Sequence, residues 1–360
     1  MRIAVVYLGR RGSGSLISLG LCEQLAKKAE VLIIRSTQVE NLSAWKQASF
    51  KQISVKTYRS FSQAVFAWLN YRQQRWIADQ IRSWQPAVLL FPMFYTLNPF
   101  LQHQLTEIPS VVAVHDPVPH PGSVDWVYAK LENWSIQQAR RCLLFSRVLV
   151  PALEERGVSP DHIDVIPHGP LIYPSTAHPD FDQPTSLLFF GRITPYKGLD
   201  VLIEAYARLR ERHQIKLRIV GSGDLRPYLS LLENLQGVEI VNRWVDESEV
   251  SRYFGPNQIV VLPYTSASQS GVIAIAAGYD LPVIATRTGG LPEQINDGVT
   301  GILVPPGSVD KLVGAIEDLL NNSQKAAFLG QALGKDFSQN RNWNVIATQV
   351  LSACEKALIT

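Results

Sequence analysis

The sequence predicts an α/β protein of two domains, each built on a parallel sheet. Three observations lead there. The chain has 360 residues, too many for one ordinary hydrophobic core. Short apolar runs alternate along it with stretches of helical spacing, which is the pattern of βαβ units and parallel strands. Several of those runs end in glycine just before a helical pattern begins, the kind of junction at which such folds hold ligands.

In the first half, Ile3–Tyr7 reads as a buried strand that passes through Gly9, Gly12 and Gly14 into a helical pattern, Leu16–Lys28. Val31–Ile34, Val88–Phe91 and Val111–Val114 read as further strands, and Leu143–Val150 as another that Pro151 closes. Tyr173–Pro184 is rich in Pro, Asp, Ser and Thr and lacks periodicity, so it reads as a linker. The expected domains are therefore 1–172 and 180–340. In the second half the strands are Leu187–Phe190, Leu217–Val220, Val238–Val241, Ile259–Leu262 and Val283–Ala285. Leu199–His213 has a helical face of Leu199, Leu202, Tyr206 and Leu209. Asp246-Glu247-Ser248-Glu249 has the form of a helix-capping signal. Gly289-Gly290-Leu291-Pro292-Glu293 is a turn whose backbone can approach a ligand closely. Trp343–Leu358 has helical spacing again.

Composition narrows the function classes. Hydrophobic residues make up 46% and charged residues 18%, which suits a packed globular protein. A formal net charge of +3 gives no sign of nucleic-acid binding. Cys22, Cys142 and Cys354 are scattered, with no CxxC, and read as buried thiols of a reducing compartment. The N-terminal apolar run is too short for a signal peptide, and no run approaches the roughly 18 residues of a membrane span. The chain is expected in the cytoplasm.

Phe189-Phe190-Gly191-Arg192-Ile193-Thr194-Pro195-Tyr196-Lys197-Gly198 is the most informative stretch. A strand ends in Gly191, delivers Arg192 and Lys197, and runs into a helix. Fixed cations at the mouth of a helix make a natural diphosphate site. The plain alternative is a solvated pair beside a helix start.

These motifs resemble the retaining glycosyltransferases of family 4, which have the GT-B architecture of two Rossmann-like domains facing a cleft. Phe190-Gly191-Arg192-Ile193, Tyr196-Lys197-Gly198-Leu199, Ile219-Val220-Gly221-Ser222-Gly223, Val261-Leu262-Pro263-Tyr264, Ser268-Gln269-Ser270-Gly271-Val272-Ile273, Leu281-Pro282-Val283-Ile284-Ala285-Thr286 and Gly289-Gly290-Leu291-Pro292-Glu293 occur in family order. They cover about residues 165 to 310. His115-Asp116-Pro117 with Pro119-His120-Pro121-Gly122 resembles a first-domain motif of some members. The resemblance implies that the last helix, 343–358, crosses back to the first domain.

The resemblance also implies roles. Glycosyl transfer leaves negative charge on the departing diphosphate, and Arg192 and Lys197 are suited to stabilise it. His115 would contact the donor sugar, and Asp116 would orient it or bind an acceptor hydroxyl; a turn that bonds only its own backbone is the alternative. His120 and His168 read as loop-shaping residues. Gly12 and Gly14 resemble a loop near the diphosphate or acceptor, made basic by Arg10 and Arg11. Gly191, Gly221 and Gly271 allow close approach to the nucleotide, and Glu293 is either a ligand contact or a helix cap. Many members carry two glutamates seven residues apart near the sugar and ribose. This chain instead has Ser268-Gln269-Ser270-Gly271-Val272-Ile273-Ala274-Ile275-Ala276, without an acid. Three readings follow: Ser268, Gln269 and Ser270 bind the sugar, the donor differs, or transfer is lost. A retaining transferase can use the diphosphate itself as base, so the enzyme reading stands.

The expected function is transfer of a sugar from a nucleotide-diphosphate donor to a saccharide or lipid-linked saccharide, with retention. No metal and no cofactor are expected, because Arg192 and Lys197 supply the charge a metal would bring. The rivals are a catalytically silent protein that binds a sugar nucleotide or a partner transferase, a sugar-nucleotide epimerase, and a phosphorylase. Residues 58–84 mix Arg59, Arg72, Arg75 and Arg82 with Phe61, Phe66, Trp68, Tyr71, Trp76 and Trp84. That mixture suits either the inner face of a membrane or a helix with a buried aromatic face.

Overall fold

The computed structural model describes residues 1–58, 68–118, 126–173 and 185–359. Among them the chain divides into two compact units, one of residues 1–118, 126–167 and 343–359, the other of 168–173 and 185–342.

The first unit is built on a seven-stranded sheet. Its strands are β1 (Arg2–Tyr7), β2 (Glu30–Ser36), β3 (Lys51–Val55), β4 (Val88–Phe91), β5 (Ser110–Val114), β6 (Arg141–Leu144) and β7 (Ile163–Val165). The second has six: β8 (Ser186–Phe190), β9 (Lys216–Gly221), β10 (Val238–Asn242), β11 (Gln258–Leu262), β12 (Val283–Thr286) and β13 (Ile302–Val304). Every ladder is parallel. The orders are β3-β2-β1-β4-β5-β6-β7 and β10-β9-β8-β11-β12-β13. Each reverses direction once, between β1 and β4 and between β8 and β11. At such a point adjacent strands send their connections to opposite faces, which opens a crevice at the carboxyl ends.

The central strands are buried on both faces, so their sequences are continuous apolar runs rather than alternating ones. This is why they were legible. The exceptions are β3 and β7, which carry mixed residues, and β13, an apolar edge strand of only three residues. The reading of Leu143–Val150 as one strand is corrected. β6 stops at Leu144, a 3-10 turn covers Arg147–Leu149, and Pro151 opens the Val150–Glu154 helix. Proline suits the first helical turn because the N–H it lacks has no partner there. Asp246 does precede a helix, Glu247–Val250, but its side chain makes no cap bond, and Glu249 is turned onto Arg243 at 2.7 and 2.8 Å.

The Trp343–Lys356 helix packs on the Gly14–Leu25 helix and shares the first unit's core through Ile346, Ala347, Val350, Ala353 and Cys354. Gly20 is the contact point: a Cβ there would lie 2.5 Å from Trp343 Nε1. Cys22, Cys142 and Cys354 are all buried free thiols. Most of Tyr173–Pro184, and His120 with its prolines, lie outside the described residues.

Candidate functional site

In the second unit the candidate residues gather where β8 and β11 end, at the reversal of strand order. Gly191 leaves β8 with φ 121°, and Gly221 ends β9 with φ 144°. The Gly191 N–H donates to Val220 O at 2.9 Å, and the Ile193 N–H to Ser222 O at 2.8 Å. The two strands thus stay paired past their formal ends. After Thr194 the chain makes a single 3-10 turn, Pro195–Lys197, and enters the Leu199–Arg210 helix through Gly198 at φ 64°. A side chain on Gly198 would strike Pro263 O, which locks this turn against the end of β11.

That geometry fixes the two cations differently. Arg192 is exposed, and its Nη2 donates to Tyr196 Oη at 3.3 Å. Lys197 is half-buried, with Nζ 2.7 Å from Tyr264 Oη and 4.1 Å from the centre of that ring. Neither forms an ion pair with a carboxylate among the described residues. Gly191 keeps the space beside Lys197 open: a Cβ there would stand 3.5 Å from Nζ and 3.9 Å from Val272 Cγ2. The cationic strand end therefore adjoins the Gly271–Ala277 helix.

Ser268 and Ser270, just ahead of that helix, are buried. Ser270 caps the Gly271–Ala277 helix by accepting from the Val272 N–H at 3.3 Å. Its own backbone is held by Gln294, whose Oε1 accepts from the Ser270 N–H at 2.7 Å and whose Nε2 donates to Ser270 O at 3.1 Å. Among the described residues, Gln269 Oε1 is a buried acceptor with no hydrogen-bond partner. His168 lies close by, with Nδ1 2.8 Å from Gly169 O and Nε2 3.9 Å from where a Cβ of Gly271 would be. Glu293 is exposed in the first turn of the Leu291–Gln294 helix. Gly289 is spoken for by packing, since a Cβ on it would sit 1.5 Å from Ala267 O. At Gly289 the turn thus approaches the chain itself.

In the first unit the candidates again lie at the carboxyl ends of the strands. Gly12 has φ 81°, and its N–H donates to Glu40 Oε2 at 3.2 Å. Glu40 also pairs with Arg11 at 3.7 Å, so a carboxylate of the protein already occupies the anion-binding side of this loop. Gly14 opens the first helix, and a Cβ there would crowd Met93 Cε at 3.1 Å. His115, just past β5, is stacked on Phe145 at 4.3 Å and bonded through Nε2 to Pro92 O at 3.2 Å. A carbonyl only accepts, so Nε2 carries the proton and Nδ1 is left as an acceptor. Burial lowers the His115 pKa, against the pull of that bond and of Asp116, so the ring is neutral at neutral pH. Asp116 is exposed. The chain beyond it is anchored by Arg156, which donates to Pro117 O and pairs with buried Glu132 at 3.2 Å. Among the described residues no three His, Cys, Asp or Glu side chains gather as a metal site.

The sequence reading missed Tyr264, Gln294, Glu40 and Phe145. Tyr264 and Gln294 stand in or beside quoted motifs. Glu40 lies in an unremarkable stretch and Phe145 in the run Leu143–Val150 read only as a strand, and the fold brings them to the site.

The chain is similar in fold to a solved structure of HepE from Anabaena in complex with UDP and glucose. The match has a TM-score of 0.72 at 16% identity, and it covers 99% of this chain and all of that one. The fold is that of the GT-B glycosyltransferases. Residues 184–322 match the family model for glycosyl transferases group 1, and residues 19–169 the model for a glycosyl transferase 4-like domain. The cations and the Ser268–Gly271 stretch thus fall in the group 1 part, and Gly12 and Gly14 precede the 4-like match. An uncharacterized glycosyltransferase of Methanocaldococcus jannaschii is 31% identical over 182 residues, 49% of this chain and 46% of that protein. The D-inositol 3-phosphate glycosyltransferase of Corynebacterium aurimucosum is 34% identical over 173 residues, 45% of this chain and 41% of that protein. The matched stretches span less than half the length of these two relatives.

Proposed function

We propose that the chain is a retaining glycosyltransferase of family 4 that takes a sugar from a nucleotide-diphosphate donor. The observation that carries this is the strand end of β8. It presents Arg192 and Lys197, with no carboxylate among the described residues paired to either, beside the space that Gly191 leaves open. When the bond from the sugar to the diphosphate breaks, charge grows on the leaving oxygen. Fixed cations there stabilise the transition state more than the ground state. Gly221, Gly271, Ser268, Gln269 and Ser270 border the donor, and the buried Gln269 Oε1 accepts from one of its O–H or N–H groups. Neutral His115 accepts from a sugar hydroxyl through Nδ1, and Asp116 and Glu293 bind at the margins. The acceptor is a saccharide or lipid-linked saccharide. The relatives' names and a structural neighbour solved with UDP and glucose support this reading. It uses no metal and no cofactor.

A thermal-shift screen over UDP-, GDP- and ADP-sugars tests it. One donor raises the melting temperature by mass action. No shift with any of them, and no turnover, sinks the proposal.

A second reading is a protein that binds the donor without transfer. It is favoured by the neutral Ser268–Ala276 stretch, which offers no carboxylate. Binding without turnover across a broad acceptor panel separates it from the first.

Contact with a membrane belongs to the same proposal. The Tyr71–Trp84 helix buries Gln74, Ile77, Ala78 and Ile81 and exposes Tyr71, Arg72, Arg75 and Trp76, with Leu69 exposed just before it. Arg59, Phe61 and Phe66 lie outside the described residues. Among the described residues no helix is long and apolar enough to cross a membrane. Preference for anionic over neutral vesicles at low salt supports surface contact; equal partitioning removes it.

A further inference from the structure

Lysine has a long, flexible stem and a strongly hydrated head, so a half-buried ammonium does not hold one position unaided. Lys197 is held by Tyr264. The phenol oxygen accepts from Nζ at 2.7 Å, and the ring lies 4.1 Å from the same nitrogen. Tyr264 is itself fixed, being 2% exposed, and its carbonyl accepts from Thr286 Oγ1. The next residue, Thr265, donates from N–H and Oγ1 to Tyr196 O at 2.8 and 3.2 Å. The end of β11 and the turn that carries Lys197 are thus one tied unit. A tyrosine is suited to this place for an electrostatic reason. A carboxylate would hold the lysine as firmly but cancel its charge. A phenol oxygen and a ring face hold it and leave the charge available.

We infer that Tyr264 is a positioning residue, which sets Lys197 toward the donor's diphosphate without neutralising it. The inference rests on the reading of this strand end as the donor site.

The test is a double-mutant cycle on the full chain with Tyr264→Phe and Lys197→Ala. UDP, GDP and ADP are titrated, with the matching nucleosides as controls. Tyr264→Phe keeps the ring and removes the hydrogen bond to a charged group, so it weakens nucleoside-diphosphate binding about tenfold. In the Lys197→Ala background the same change has an effect of less than about twofold, because the group it acts through is gone. Nucleoside binding is unchanged. Labelling of Lys197 by reductive methylation, read by mass spectrometry without nucleotide, is faster in Tyr264→Phe. Equal losses in both backgrounds, or an unchanged labelling rate, overturn the inference. Failure of all three diphosphates to bind the wild-type chain overturns the donor reading and this inference with it, whereas binding without coupling removes only the role of Tyr264.

Discussion

Gly221 lies against the carbonyl oxygen of Gly191, so closely that a Cβ on Gly221 would stand 1.8 Å from it. Both glycines have positive φ, at the ends of adjacent strands that carry the candidate donor residues. The two are not equally sensitive. A Cβ on Gly191 meets nothing closer than 3.5 Å, so alanine there bears backbone strain alone. Gly191→Ala is expected to cost about 1–3 kcal/mol. Gly221→Ala adds a collision with backbone and is expected to cost about 3 kcal/mol or more. Urea denaturation of both variants checks the order, and a milder effect for Gly221→Ala contradicts this packing.

Arg192→Ala and Lys197→Ala are each expected to slow transfer by ~10²-fold or more, a loss of about 3 kcal/mol of leaving-group stabilisation. Arg192 is exposed, with one long hydrogen bond to Tyr196, so its removal should leave the melting temperature nearly unchanged. Steady-state kcat/KM beside a melting curve separates the two effects. Wild-type turnover in both variants rules out the leaving-group role.

Glu40 accepts from the Gly12 N–H and pairs with Arg11, so its charge is expected to keep external anions off this loop. Glu40→Gln retains an acceptor for the Gly12 N–H but removes the charge opposite Arg11. Inorganic phosphate should then shift the Gly12 amide resonance at concentrations that leave the wild-type resonance in place. Equal response in the two proteins means the loop is not guarded by charge.

His115 is held below its ordinary pKa by burial. The unfolded chain therefore takes up this proton first, near the ordinary value of ~6.5. Above that pH the stability tied to the neutral ring is fully present. It declines as pH falls from there toward the lowered folded value. NMR titration of the His115 ring should show it more than half neutral at pH ~6.5, and His115→Gln should flatten the loss of stability just below that pH. A ring that titrates at its ordinary value contradicts the burial argument.

Asp164 accepts from Arg141 Nε at 2.6 Å and from Lys356 Nζ at 2.7 Å, tying β6 and β7 to the end of the last helix. Burial pushes its pKa up, but these cations outweigh burial and leave the carboxyl below the usual range. The stability it contributes is present above ~3.9 and is lost as pH falls through the depressed value. Asp164→Asn leaves buried Arg141 short of a counter-charge and should cost about 3 kcal/mol at pH 7. Urea unfolding at pH 7 and in acid should show the gap between variant and wild type closing in acid.

Much of the fold was legible because strands buried on both faces must be apolar along their length. Ile3–Tyr7, Val88–Phe91 and Ile259–Leu262 could hardly be read otherwise. β3, Lys51–Val55, was not legible, because its mixed residues carry no run and it is defined by pairing with β2. Leu143–Val150 misled for a related reason: its apolar residues are continuous, but the turn at Arg147–Leu149 divides strand from helix. Of the candidate site, Arg192 and Lys197 were visible because charge directly after an apolar strand is unusual. Glu40 and Phe145 were not, since nothing local distinguishes a residue that matters through a partner far along the chain.

The sequence by itself determined the α/β class, the strand–glycine–helix junctions and the two cations, because each is a property of neighbouring residues. Tertiary structure alone decided what those residues touch. It placed Tyr264 under Lys197, Gln294 on the Ser270 backbone and Glu40 in the Gly12 loop. It also packed Gly289 against Ala267 O. The physical reason is that hydrogen bonds, ring faces and close approaches act over a few ångströms in space, whereas these partners are separated by 24 to 67 residues of chain in the first two pairs.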